Sequence, residues 1–174
     1  EIILATHNLD KCKELKNSFN NSNIKIYTLK DFPEIEEIIE DGHSLEENAF
    51  IKSKTVYGIT QIPTISDDTG LFVNTLNGRP GIFSARYAGE NCSYSDNVRK
   101  LLLEMKNIQD PLRQATFKTV VTYVGKDLEL VAEGSVKGTI TKEPKGNKGF
   151  GYDPIFYVSE LKKTFAEIDI NEKQ

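Results

Sequence analysis

The chain has 174 residues, of which 38% are hydrophobic, and a chain of this length buries about two-thirds of its unfolded surface as one domain. Its 22 Lys and Arg residues and 26 Asp and Glu residues are mixed along the chain and give a net charge of -4, which argues against binding nucleic acid or an acidic membrane by bulk charge. No apolar run approaches the length of about 18 residues that a membrane span needs. Cys12 and Cys92 form no CxxC motif, which favours a reducing compartment such as the cytoplasm.

The first predicted elements are a strand at residues 2–5 and a helix that begins after the N-cap Asn8. Apolar residues recur at helical spacing through Phe19. Lys11 falls in the first helical turn, where a cation opposes the helix dipole unless an anion binds there. We therefore predict that residues 6–11 bind a phosphate group. A solvent-facing lysine at a helix start is an equally common alternative.

A second strand is predicted at residues 24–29, followed by an acidic connection. Ser44 and Glu47 then form a capping box for a helix that is predicted to stop at Gly58. Because Glu47 has this structural role, it is a weak catalytic candidate.

On that second helix, Asn48 and Lys52 are four residues apart. We predict that they share a solvated polar face, opposite a buried face formed by Leu45, Ala49 and Val56.

Two adjacent carboxylates, Asp67 and Asp68, follow a predicted strand at residues 62–65 and precede Gly70, where we predict a turn. Open α/β proteins commonly bind ligands outside the ends of their strands. The alternative is a turn capped by an aspartate. Neighbouring side chains on extended backbone point to opposite faces, so we expect Asp68 to bind a metal ion and water, and Asp67 to support it through hydrogen bonds such as those to backbone N–H groups.

The second half of the chain predicts a helix at residues 94–105 and a long hairpin formed by residues 115–124 and 128–140. A glycine-rich segment follows at residues 146–154, in which Phe150 and Tyr152 offer ring faces for a base. The alternative is a simple glycine-rich hairpin loop. The segment lacks the Lys-Ser/Thr ending of a P-loop.

Five blocks taken together are more specific than any one of them, and through them the chain resembles the inosine triphosphate pyrophosphatase family. The blocks are LATHN with Lys11, EDG leading into ENA at residues 47–49, SDDTGL at residues 66–71, GRPG with SARY at residues 84–87, and GFGYDP at residues 149–154. Their order and spacing extend over nearly the whole chain.

The resemblance implies an α/β fold with a mixed central sheet flanked by helices and a long substrate cleft between two lobes. It also implies a homodimer and a magnesium-dependent enzyme that hydrolyses non-canonical purine nucleoside triphosphates to the monophosphate and pyrophosphate. We expect residues 1–174 to form a single such domain. The family continues past Lys173 to a Ser-His-Arg element, so we expect the C-terminal end of the domain to be missing from this sequence.

Carried over by position, the resemblance implies three groups of site residues. The catalytic residues are Asp68, which also accepts a proton from the attacking water, and Lys52. The metal ligands are Glu40 and Asp68. The substrate-binding residues are Thr6, Asn8, Lys11, Thr69, Phe150, Gly151, Tyr152, Asp153 and Lys173.

Two other functions stay open from the sequence. A related nucleotide pyrophosphatase could prefer a different base, such as a modified pyrimidine. A nucleotide-binding sensor could recognise inosine triphosphate without cleaving it, although such a protein would not need Asp68 as a base.

Overall fold

The computed structural model describes residues 1–19 and 23–169. Within these residues the helices are α1 (Leu9–Ser18), α2 (Leu45–Thr60) and α3 (Tyr94–Glu104). The strands are β1 (Ile2–Leu4), β2 (Ile26–Thr28), β3 (Thr64–Val73), β4 (Pro80–Gly81), β5 (Gln114–Val124), β6 (Glu129–Ile140), β7 (Phe156–Val158) and β8 (Lys163–Thr164). None of these helices is long and apolar enough to cross a membrane.

The strands form a mixed sheet in the order β2-β1-β3-β5-β6-β7-β8, and β4 pairs with β3. β1 lies parallel to both β2 and β3, whereas β3 and β4, β6 and β7, and β7 and β8 are antiparallel. The predicted mixed α/β fold is therefore confirmed. The predicted hairpin is also present as the neighbouring strands β5 and β6, and the predicted third helix is present as α3.

The chain divides into two compact units. Unit 1 comprises Glu1–Asp68 and Thr119–Gly134, and its apolar core contains Ile3, Ala5, Leu29, Ile35 and Val56. Unit 2 comprises the described residues of Thr69–Lys118 and Ser135–Gln174. Its larger core includes a group of three aromatic rings, Phe117, Phe156 and Phe165, with ring centroids 4.6–5.8 Å apart. The single domain and the cleft between lobes stay predictions.

The strand that carries the two adjacent aspartates is longer than predicted. β3 runs without a break from Thr64 to Val73, so the predicted strand end after residue 65 and the turn at Gly70 were wrong. Gly70 is required for another reason. A Cβ at this position would lie 2.6 Å from the carbonyl oxygen of Gly81 on β4, so the glycine permits close approach of two backbones.

The caps of α1 and α2 follow the sequence prediction. Asn8 is the N-cap of α1, and Ser44 is the N-cap of α2. The predicted capping box is only half present: Ser44 accepts from the N–H of Glu47, but Glu47 accepts a hydrogen bond from the backbone N–H of His43, at 2.6 Å, and not from that of Ser44. α2 does not stop at Gly58. It continues to Thr60 and ends at Gln61, whose φ of 57° is left-handed.

Candidate active site

The two adjacent aspartates of β3 have different partners in unit 1. Asp67 pairs with Lys11, whose Nζ lies 2.7 Å from Asp67 Oδ2. Asp68 instead contacts two side chains of α2, Asn48 and Lys52. Alternation along an extended strand explains this separation. The prediction that the two carboxylates act separately is consistent with these contacts. The partner found here for Asp67 is an ammonium group, where the sequence suggested backbone N–H groups.

Asp68 lies in a group of charged side chains that includes a second carboxylate. Lys52 Nζ is 3.9 Å from Asp68 Oδ1 and 3.3 Å from Glu40 Oε2. The Nδ2 group of Asn48 donates a hydrogen bond to Asp68 Oδ2 at 3.3 Å. The structure thus brings together Glu40, Lys52 and Asp68, the three residues predicted to act at the metal and the reacting phosphate.

The predicted solvated face of α2 was wrong. Asn48 is 1% exposed and Lys52 is 7% exposed. The buried residues of this helix, at positions 45, 48, 49, 52, 53 and 56, recur at the i, i+3 and i+4 spacing of a single helical stripe. Both polar residues therefore belong to the same face as Leu45, Ala49 and Val56. They lie among buried groups because each has a polar partner there.

Asn48 is a site residue that the sequence prediction missed. Its Oδ1 accepts a hydrogen bond from the backbone N–H of Gly42 at 2.9 Å, while its Nδ2 donates to Asp68. A Cβ on Gly42 would lie 2.7 Å from that Oδ1 atom, so a glycine is needed for this contact. Asn48 thereby connects the loop after Glu40 to Asp68 through these two hydrogen bonds. The signal that could have found it is its place on the buried helical stripe.

The turn before α1 uses its side chains to cap the helix. Asn8 Oδ1 accepts hydrogen bonds from the backbone N–H groups of Asp10, at 2.9 Å, and Lys11, at 3.2 Å. Thr6 is buried, and its hydroxyl accepts from the N–H of Asn8. The N–H groups of Asp10 and Lys11 are thus already engaged. An anion at this turn would instead meet the Lys11 ammonium and polar side chains.

Burial and charge act in opposite directions on the ionisable groups of this site. Burial is the largest influence on Asp68 and raises its pKa above the ordinary value, although Lys52 and Lys11 oppose the rise. Burial alone would lower the pKa of Lys11. The attraction of Asp67, together with smaller contributions from Asp68 and Glu40, more than offsets this, so the pKa of Lys11 is raised. Lys11 therefore stays charged, as a phosphate-binding group requires.

The donor set fits a magnesium ion that is held partly by its substrate. Among residues 1–19 and 23–169, no group of three or more His, Cys, Asp or Glu side chains could hold a metal ion. Glu40 and Asp68 nonetheless both reach within 4 Å of one cationic atom, Lys52 Nζ. Magnesium is commonly bound by one or two carboxylates together with phosphate oxygens and water, and these two residues would supply that number of carboxylates.

The remaining predicted substrate residues belong to unit 2, apart from Lys173, which lies outside the described residues. Phe150 is partly buried, and its ring centroid lies 5.9 Å from that of Tyr94. Tyr152 is buried in the core, and its hydroxyl donates to the carbonyl oxygen of Ser84 at 3.0 Å. Asp153 is buried and accepts a hydrogen bond from the N–H of Phe150.

These contacts give Tyr152 and Asp153 a structural role within unit 2. The predicted role of this segment in binding the base and sugar stays a prediction, as do the substrate contacts of Thr69, Gly151 and Lys173.

Comparison with known proteins identifies the family of this site. The model of the Ham1 family matches residues 2–174. The chain belongs to the Ham1 family. This result confirms the family that the five motif blocks predicted.

Similarity to individual Ham1-type proteins extends over almost the entire chain. A dITP/XTP pyrophosphatase of Thermoanaerobacter pseudethanolicus is 46% identical over 173 residues, which cover 99% of this chain and 87% of that protein. The Ham1 protein of Staphylococcus aureus is 39% identical with a TM-score of 0.87, and a HAM1 protein of Coxiella burnetii is 36% identical with a TM-score of 0.89. Each alignment covers 99% of this chain and 88% of the solved chain. The mixed α/β fold is therefore that of known Ham1 structures.

Proposed function

We propose that this chain hydrolyses non-canonical purine nucleoside triphosphates, such as ITP, dITP and XTP, to the monophosphate and pyrophosphate. Membership of the Ham1 family and the 46% identity to a dITP/XTP pyrophosphatase support this substrate class. The observation that carries the proposal is the pair of carboxylates around Lys52 Nζ, with Glu40 at 3.3 Å and Asp68 at 3.9 Å. A sensor that only binds nucleotide would not need this proton acceptor.

The triphosphate is held in this proposal by Lys11, Thr6 and Asn8. Lys11 contributes a positive charge on a side chain that is 17% exposed, and its raised pKa keeps it protonated. Thr6 and Asn8 contribute short polar side chains at the start of α1. Asp67 holds the Lys11 ammonium at 2.7 Å, so the charge is already in place before substrate arrives.

Glu40 and Asp68 are the residues that would hold a magnesium ion. When bound, the ion would offset negative charge that builds up on the phosphate oxygens during the reaction. Lys52 lies between the two carboxylates and supplies a further positive charge for the same purpose. Its burial strengthens that charge, because less water is present to screen it.

Hydrolysis requires a water oxygen to form a bond to the α-phosphorus. The bond between that phosphorus and the oxygen that bridges it to the β-phosphorus breaks, and pyrophosphate leaves. Asp68 accepts the proton of the water. Burial raises the pKa of Asp68, which makes it a better proton acceptor than an exposed aspartate. Asn48 holds its carboxylate through Oδ2.

Base selection is assigned to the segment at residues 149–154, together with Thr69 and Lys173. Phe150 would stack on the purine, and polar groups would hydrogen-bond the 6-oxo edge of hypoxanthine or xanthine. A site built around this acceptor leaves its donors unpaired when the 6-amino group of adenine is present.

Three further properties belong to the same proposal. The reducing compartment favoured by the cysteine pattern supports a location in the cytoplasm. The net charge of -4 supports a small-molecule substrate over nucleic acid. Assembly as a homodimer rests on the family resemblance, and light scattering coupled to gel filtration would test it.

A substrate panel tests the proposed function. With magnesium present, we expect pyrophosphate release from ITP, dITP and XTP to exceed that from ATP and dUTP by at least about a hundredfold in kcat/KM. Fastest turnover of a pyrimidine triphosphate would favour the related pyrophosphatase. Binding without turnover of any nucleotide would favour the sensor.

Asp68→Asn tests the role of the proton acceptor in the same assay. We expect turnover to fall at least about a thousandfold while nucleotide binding persists. Asp127→Asn makes the same chemical change at an exposed turn and serves as the control. Full activity of Asp68→Asn would remove this residue from the mechanism.

A further inference from the structure

Three buried hydroxyl groups connect α2, β3 and β5 in unit 1. They belong to Ser53 on α2, Ser66 on β3 and Thr122 on β5, and each residue is fully buried. Thr122 Oγ1 lies 2.9 Å from Ser53 Oγ and 3.0 Å from Ser66 Oγ. Ser66 also donates a hydrogen bond to the carbonyl oxygen of Ala49 on α2. The hydroxyls thus form a continuous chain that begins and ends on the same helix.

The donor and acceptor of each hydrogen bond in this hydroxyl chain can be assigned. Each hydroxyl has a single proton to donate. Because Ser66 donates to Ala49, it must accept from Thr122, and Thr122 must then accept from Ser53. If Ser53 instead donated to the Ala49 carbonyl at 3.1 Å, no proton would remain for the contact between Ser53 and Thr122. Donation from Ser53 to Thr122 therefore gives a proton to every contact of the hydroxyl chain, and the Ser53 hydroxyl then donates to neither the Ala49 nor the Phe50 carbonyl.

The residues of this hydroxyl chain are direct sequence neighbours of the candidate active-site residues. Ser53 follows Lys52, and Ala49 follows Asn48. Ser66 precedes the two aspartates of β3. A shift of this helical turn against the strand would change the 3.9 Å separation of Lys52 and Asp68, and also the hydrogen bond from Asn48 to Asp68.

Apolar side chains alone would allow α2 to pack on the sheet in a range of positions, because apolar contacts have no preferred direction. Buried hydroxyls lose their contacts with water, so they favour only those arrangements in which their partners are correctly placed. Three satisfied hydroxyls at this one turn therefore restrict the helix to a narrow range of positions. Such restriction matters most where reacting groups must be placed precisely.

We propose that Thr122 is a positioning residue of the active site and that, through Ser53 and Ser66, it holds α2 against β3 so that Lys52 and Asn48 remain in register with Asp68. The proposal rests on the proposed hydrolysis for its kinetic consequence. Its structural consequence, the placement of Lys52 relative to Asp68, is independent of that activity.

Thr122→Val tests the proposal, because it removes the central hydroxyl and keeps the shape of the side chain. The matched control is Thr64→Val, which changes a fully buried threonine of β3 whose hydroxyl donates to the nearby Ile62 carbonyl at 2.9 Å. We expect kcat for ITP to fall about tenfold to a hundredfold in Thr122→Val, and KM to change less than about threefold. Thr64→Val should keep kcat within about twofold of the wild type, and Thr122→Ser should restore most of the lost rate.

Crystal structures of the metal-free wild type and Thr122→Val provide the second measurement. We expect the distance between Lys52 Nζ and the Asp68 carboxylate to change by more than about 0.5 Å in the variant. If Thr122→Val does not fold, Ser53→Ala removes the first hydroxyl of the hydroxyl chain and is compared with the wild type by the same two measurements.

Equal kcat values for the Thr122 and Thr64 variants, or an unchanged Lys52 to Asp68 distance, would overturn the positioning role. Absence of pyrophosphate release by the wild type would overturn the proposed function instead, and the distance would still decide the positioning role.

Discussion

The ion pair between Lys11 and Asp67 should be strongly coupled in the metal-free protein. Its atoms are 2.7 Å apart, which corresponds to a gross attraction of about 6 kcal/mol at an effective dielectric constant of about 20. A double-mutant cycle cancels the cost of removing each charge from water, so the coupling energy reports the attraction between the two groups. The Lys11 side chain is 17% exposed, so solvent screens part of that attraction, and we expect a coupling energy of about 2–3 kcal/mol.

A double-mutant cycle measures this coupling directly. Asp67→Asn, Lys11→Met and the double variant are compared with the wild type by urea unfolding at neutral pH and without nucleotide. The matched control is the pair of Lys54 and Glu129, whose atoms are 2.9 Å apart but whose side chains are about half exposed. For the control cycle we expect less than about 1 kcal/mol, because solvent screens an exposed pair.

The two cycles decide whether burial gives the Lys11 pair its strength. If the coupling between Lys11 and Asp67 equals that of the exposed control pair, the assignment of Asp67 as the residue that holds Lys11 in place is wrong. Similar stability of Asp67→Asn and the wild type would lead to the same conclusion.

Three further variants test other parts of the structure. Burial raises the pKa of Asp68, so ionisation of this carboxylate destabilises the fold as pH rises through that pKa. Asp68→Asn should therefore raise the melting temperature at pH 7, by an amount that shrinks as pH falls. Asp127→Asn, the exposed control, should not raise the melting temperature. A fall in melting temperature at pH 7 would contradict this sign. The buried guanidinium of Arg113 donates to four backbone carbonyls at 2.7–3.1 Å, so Arg113→Lys should lower the free energy of unfolding by about 2–4 kcal/mol in urea titrations. A loss below about 0.5 kcal/mol would show that lysine satisfies the same groups. Glu40→Gln should raise the magnesium concentration for half-maximal activity at least about tenfold, with exposed Glu36→Gln as the control, and an unchanged requirement would remove Glu40 as a ligand.

Local signals in the sequence predicted the caps and the charged group of unit 1. Asn8 and Ser44 cap their helices because short polar side chains satisfy the first N–H groups of a helix, and this rule needs only neighbouring residues. Glu40, Lys52 and Asp68 were grouped through the family resemblance, and the structure places Lys52 Nζ within 4 Å of both carboxylates.

The errors arose where distant contacts decide the structure. Gly70 suggested a turn because nothing local shows that the Gly81 backbone approaches it. Asn48 and Lys52 were assigned to solvent by their polarity, although their spacing already placed them on the buried stripe of α2. Their polar character reflects partners on β3 and the preceding loop, which the order of residues along the helix does not reveal.

The pairing of Asp67 with Lys11 and the hydroxyl chain through Thr122 have the same origin. Each joins residues that are far apart in sequence and meet only when the sheet forms. Neither pattern is distinguishable in advance from an ordinary polar residue in a strand.

Isotope transfer from water tests the central claim most directly. Hydrolysis of ITP in ¹⁸O-labelled water, with products analysed by mass spectrometry, shows which phosphorus atom the water attacks. Attack at the α-phosphorus predicts one labelled oxygen in the inosine monophosphate and none in the pyrophosphate. Label in the pyrophosphate, or release of labelled orthophosphate, would contradict the proposed chemistry of this site.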